Sequence, residues 1–130
     1  MILYCCQDLI FATKIRSTAE SLGVPTQALR DADALPSASN GDEGDADGQS
    51  IGAIMVDLEL GEDAMTLIER ARQNLPTAAV IAFGSHVAKD VLDGAKARGA
   101  HHVLPRSAFT QQLPDLLQKY NVEANKPRET

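Results

Sequence analysis

The stretch Ile51 to Leu60, IGAIMVDLEL, constrains this chain more than any other. Ile51 to Val56 is a short, continuous apolar run that delivers one carboxylate, Asp57, at its end. Continuous rather than alternating hydrophobicity belongs to a strand buried on both faces, which implies a parallel sheet covered by helices. In open parallel sheets ligands and chemistry gather beyond the carboxyl ends of the strands. Asp57 is therefore the leading candidate for a functional residue.

The flanking sequence supports such a sheet. Ile2 to Cys6 predicts a first strand, and Asp8 is placed to cap a helix running to about Leu22. Phe11, Ile15, Thr18, Ala19 and Leu22 share one face of that helix. Gly23 ends it, and Thr26 to Arg30 leaves room only for a short second strand. After Gly61 a helix with Glu62 and Asp63 in its first turn carries Met65, Ile68, Ala71 and Leu75 inward, and Pro76 stops it. Ala78 to Phe83 is another apolar run and predicts a second central strand. A helix to about Arg98 follows, with Val87, Val91, Leu92 and Ala95 on one face and Gly99 closing it. His101 to Leu104 predicts a last strand. Ser107 is placed to cap a final helix that buries Phe109, Leu113, Leu116, Leu117 and Tyr120, with Pro114 either kinking or restarting it. The order predicts one α/β domain over residues 1–121, a doubly wound, five-stranded parallel sheet of order 2-1-3-4-5 in a three-layer sandwich, flavodoxin-like in outline. Residues 122–130 read as a polar tail.

The formal charge of −6 is concentrated. Asp31, Asp33, Asp42, Glu43, Asp45 and Asp47 fall within residues 31–50, with no Lys or Arg among them. That low-complexity stretch buries too little apolar surface to offset the entropy of ordering it, so a flexible acidic loop is expected where the second crossover helix belongs, with that helix reduced or replaced. Glu43, Asp45, Asp47 and Gly48 mimic the front of a calcium loop. The closing carboxylate falls instead at Ile54, inside a strand, so solvated acid is the reading. An acidic balance without a basic cluster argues against nucleic acid as a direct partner. No apolar run approaches the ~20 residues of a membrane span. The N-terminus has no basic region ahead of an apolar one, so the chain reads as cytoplasmic. Cys5 and Cys6 point to opposite faces of a strand and read as two buried, reduced thiols. His86 reads as a polar residue opening a helix rather than an acid–base group.

From Ile2 to Tyr120 the chain resembles the receiver domains of bacterial response regulators. The resemblance rests on VDLEL around Asp57, VIAFGSH at Val80 to His86 and GAHHVLPRSAF at Gly99 to Phe109. It implies two-component or phosphorelay signalling, in which an aspartate at the position of Asp57 accepts a phosphoryl group from a histidine kinase. Such transfer is mostly positioning and charge stabilisation, and Mg²⁺ held by neighbouring acids supplies the charge. The family's acidic pair after the first strand is replaced here by Cys6 and Gln7. The family hydroxyl residue aligns with Gly84, with Ser85 adjacent. The family lysine is Arg106, and the aromatic switch residue is Val103.

Two readings of Asp57 follow. It is a phospho-acceptor with a weakened Mg²⁺ site, or a carboxylate held by Arg106 in a bidentate ion pair with phosphorylation abandoned. The second is preferred: a pseudoreceiver without cofactor or enzymatic activity, docking a protein such as a histidine kinase or another signalling protein. The resemblance places that surface on the face built, in the family, by the fourth helix, fifth strand and fifth helix. Val87, Lys96, Arg98, His101, His102 and Gln111 fall there, and a homodimer is compatible with it. A flavodoxin-like small-molecule binder is the weaker alternative, because Gly84-Ser85 lacks the glycine pattern of a phosphate loop.

Overall fold

Apolar strands and amphipathic helices alternate through the chain, and the computed structural model shows how they assemble. It describes residues 1–30, 35, 51–84 and 89–121. The elements are β1 (Ile2–Cys5), α1 (Leu9–Leu22), β2 (Thr26–Ala28), β3 (Ala53–Asp57), α2 (Glu62–Asn74), β4 (Ala79–Gly84), α3 (Lys89–Ala97), β5 (His102–Pro105) and α4 (Arg106–Lys119). All five strands are parallel in the order β2-β1-β3-β4-β5. This is the predicted topology. Every residue of β3 and β4 is buried, which is why these two strands read as unbroken apolar runs.

Two apolar layers flank the sheet. On one side Ile2, Tyr4, Met55, Ile81 and Phe83 pack with Phe11 and Ile15 of α1 and Phe109, Leu113 and Leu117 of α4. On the other, Leu3, Ile54, Val56 and Val80 pack with Leu67, Ile68 and Ala71 of α2 and Ala95 of α3. Phe83 and Phe109 stack with centroids 4.2 Å apart, and Phe11 lies 5.3 Å and 5.8 Å from them. This aromatic cluster fastens α1 and α4 to the same strand. Among the described residues no helix is long and apolar enough to cross a membrane.

Several local expectations change. A single 3-10 turn, Leu58–Leu60, follows β3 before Gly61 leads into α2. The buried stripe of α2 is Ala64, Leu67, Ile68 and Ala71, so Met65 lies at its margin and Leu67 within it. The 3-10 turn and the positive φ of Gly61 set the angle at which α2 enters, and a sequence period carries no record of that rotation. Ser107 does not cap α4, because the helix already begins at Arg106, directly after Pro105. Pro114 does not restart the helix, which runs through it to Lys119. Buried Phe109 and Leu113 before the proline and Leu116 and Leu117 after it lie on one face and hold both halves in register. That packing outweighs the roughly 3 kcal/mol an internal proline costs. The acidic loop, the reduced second helix and the polar tail at 122–130 lie outside the described residues. Leu35 is the exception within 31–50, and it is buried in the same core layer as Leu29.

Candidate functional site

The strand order places a crevice between β1 and β3, where successive connections leave the sheet in opposite directions. Register then decides which residues meet there. Cys5 lies opposite Val56, so the chain leaving β1 carries Cys6 and Gln7 past the end of β3, beside Asp57. Asp57 in turn lies opposite Phe83, which brings Gly84 next to it. Gly84 pairs with Pro105, and Arg106 follows at once as the first residue of α4. The topology thus gathers Asp57, Cys6, Gln7, Gly84 and Arg106 at one edge of the sheet. Ser85, His86 and Val87 lie outside the described residues.

The side chain of Asp57 is fully buried, with 0 % of the residue exposed. A buried carboxylate is tolerated only with hydrogen bonds to its oxygens, and this one is enclosed by them. Oδ1 accepts the Glu59 N–H at 3.0 Å, which makes Asp57 the cap of the 3-10 turn. Oδ2 accepts the Gln7 N–H at 3.1 Å and faces the Cys6 Sγ at 3.5 Å. The Cys6 sulfur also lies 3.4 Å from the Asp8 carbonyl oxygen. Burial, reinforced by the charge of Asp57, pushes the Cys6 thiol up from 9.0 to about 12. Cys6 is thus a protonated, half-buried thiol facing a carboxylate, and of the two buried thiols expected only Cys5 is fully buried.

The expected bidentate pair between Arg106 and Asp57 does not form. Arg106 Nη1 donates instead to Asp8 Oδ2 at 3.3 Å. Its guanidinium lies 4.4 Å over the Phe11 ring, a cation–π arrangement. Its Nε is buried and has no hydrogen-bond partner among the described residues. The reason is geometric: Arg106 starts a helix that packs against α1, so its fork meets the N-terminus of α1 before it reaches β3. Asp8 caps α1 through Oδ1, which accepts from Ile10 N–H at 2.9 Å and Phe11 N–H at 3.3 Å. These backbone bonds, together with Arg106, hold the Asp8 carboxyl below the usual carboxylate range.

A hard dication such as Mg²⁺ takes several oxygen ligands at an open, anionic position. The donor set here does not fit one. Both Asp57 oxygens face backbone donors, the neighbouring position holds a neutral thiol, and Asp8 is committed to a cap and to Arg106. Among the described residues no three His, Cys, Asp or Glu side chains converge to hold an ion.

Sequence reasoning missed the thiol and the two backbone N–H groups as the partners of Asp57, and Phe11 as the rest for Arg106. Only the position of Cys6, one residue past the strand opposite Asp57, signalled the first of these.

Neither a protein-family model nor a curated protein matches the sequence. Solved structures do. A response regulator from Thermotoga maritima aligns over 92 % of this chain and 94 % of its own, at 18 % identity and a TM-score of 0.69. The receiver domain of NtrX from Brucella abortus aligns over 92 % and 97 %, at 18 % identity and a TM-score of 0.70. The chain has the receiver fold. A Burkholderia pseudomallei response regulator whose structure contains a phosphorylated aspartic acid, calcium ion and citrate adds a third receiver-fold match, at 20 % identity over 95 % of this chain and 69 % of that one, TM-score 0.68. At these identities the likeness is one of fold, and within the receiver fold the chemistry is argued from this chain's own residues.

Proposed function

We propose that this chain is a signal-transduction module of the two-component type that works by binding protein in the cytoplasm, with no metal-dependent phosphorylation of Asp57. One observation carries the reading: the Asp57 carboxylate is fully buried and hydrogen-bonded by a thiol and two backbone N–H groups, where phosphoryl transfer needs an oxygen exposed for attack and anionic ligands for a cation. Asp57 then serves as architecture. It ties the end of β1 to the 3-10 turn after β3 and keeps the sheet edge closed. The arginine at the family lysine position supports the same reading, since its charge is spent on Asp8. The proposed partner is a protein, a histidine kinase or another signalling protein, and nucleic acid is excluded from the proposal by the acidic balance. The docking face is α3, β5 and α4, where Lys96, Arg98, His101 and Gln111 are exposed, and the same face suits a second copy of the chain.

The test is a backbone amide NMR spectrum with and without Mg²⁺ and beryllofluoride, followed by intact mass after acetyl phosphate. The expected result is an unchanged spectrum around Asp57 and no phosphoryl adduct. Shifts spreading from Cys6, Gln7 and Glu59, together with an adduct lost in Asp57→Asn, would establish the genuine phospho-acceptor instead.

A further inference from the structure

A groove of about 530 Å³ opens between the first half of α1 and the end of β2, and the crevice described above forms its inner wall. Its size falls in the range of small-molecule sites. Leu9, which is 79 % exposed although apolar, and Leu29 give it hydrophobic surface. Arg16 on α1 and Arg30 after β2 line it from opposite sides. Among the described residues neither arginine has a hydrogen bond or an ion pair, in contrast to Arg98 and Arg106. Two arginines lining one cavity, with no counter-charge paired to either among the described residues, suit an anion held between them. Gln7 and Leu60 also line the groove. The Gln7 N–H holds one Asp57 oxygen, and Leu60 follows Glu59, whose N–H holds the other.

We propose that this groove is a binding site for a small organic anion, with an apolar body lying against Leu9 and Leu29 and a carboxylate or phosphate-ester head between Arg16 and Arg30. Occupancy acts on the receiver fold through Gln7 and Leu60, so the ligand is sensed at the Asp57 edge without any covalent step. The groove shares Cys6 and Gln7 with the surroundings of Asp57, but ligand binding between the arginines involves no phosphoryl chemistry and is read independently of it.

The experiment is an amide NMR titration of the full chain with phenyl phosphate and with benzoate, using inorganic phosphate and benzyl alcohol as half-ligand controls. The expected outcome is saturable shifts of Gln7, Thr13, Ala28 and Leu29 with at least one aromatic anion. The preferred head group is read from the two affinities. Arg16→Gln and Arg30→Gln each weaken binding about five- to tenfold, and both together abolish it. Lys14→Gln, an equal charge change on the same helix, leaves it unchanged. Both arginines are exposed, so these variants fold. The proposal fails if neither anion saturates at these amides, if the double variant binds as well as the parent, or if benzyl alcohol or inorganic phosphate binds as tightly as the aromatic anions.

Discussion

The Cys6 thiol and the Asp57 carboxylate interact through one oxygen, and the pair has a consequence for pH. The folded chain holds the Cys6 proton up to about 12, while an unconstrained thiol releases it near 9.0. Below 9 both states are protonated and the full stability is present. Between 9 and 12 the unfolded chain ionises and the folded chain does not, so stability declines as pH rises. Urea midpoints compared from about pH 8 to about pH 10.5 should fall more steeply for the parent than for Cys6→Ser, which does not titrate there. Asp57→Asn removes the neighbouring charge, so it should lower the thiol's pKa and speed alkylation of Cys6 by iodoacetamide, read by peptide mass mapping. A thiol equally slow in Asp57→Asn would show that burial alone sets its reactivity. None of this was legible in the sequence beyond the presence of a cysteine where an acid was expected. The contact depends on a sheet register between residues 51 positions apart.

Elements meet at places where one side chain completes another strand's hydrogen bonding. The Val80 N–H of β4 has no backbone partner on β5, whose pairing starts at Ile81 and His102, and it donates instead to His101 Nδ1 at 2.9 Å. That bond requires an unprotonated Nδ1, so the ring proton sits on Nε2 and faces Arg72 Nη1, 3.3 Å away, donor to donor. Burial, then the charges of Arg72 and His102, lower the His101 pKa from 6.5. The unfolded chain therefore takes up a proton, as pH falls below 6.5, that the folded chain resists, and stability is lost on the acid side. Thermal midpoints should drop between about pH 7 and about pH 5, and His101→Asn should flatten that slope. An identical slope in the variant would place the titration elsewhere. The neighbouring chain reversal has its own constraint. Gly99 has φ +117°, and a Cβ there would stand 2.6 Å from Arg72 Cγ, so this position is closed to other residues by backbone and by space alike.

At the scale of the molecule, one aromatic cluster joins α1, β4 and α4. Phe109, which is fully buried and stacked on Phe83, should cost about 3–5 kcal/mol when truncated to Ala, measured by urea unfolding. A loss below about 1 kcal/mol would mean that α4 is held by its ends and not by its core face. The parallel sheet and its described helices were readable from periodicity, and the strand order from alternation and right-handed crossovers, because burying apolar faces at helical and strand spacing leaves few alternatives. Asp57 at the strand end was readable for the same reason. The rotation of α2 and the uninterrupted course of α4 through Pro114 were not, since packing between elements overrides local preference by more than the local terms are worth. The partnership of Arg106 lay further out of reach. Its charge and its place after β5 followed from chain order, which also allowed a pair with Asp57. The choice of Asp8 over Asp57 came from the docking of α4 on α1, because a hydrogen bond is decided by distances of a few ångströms that no one-dimensional pattern contains.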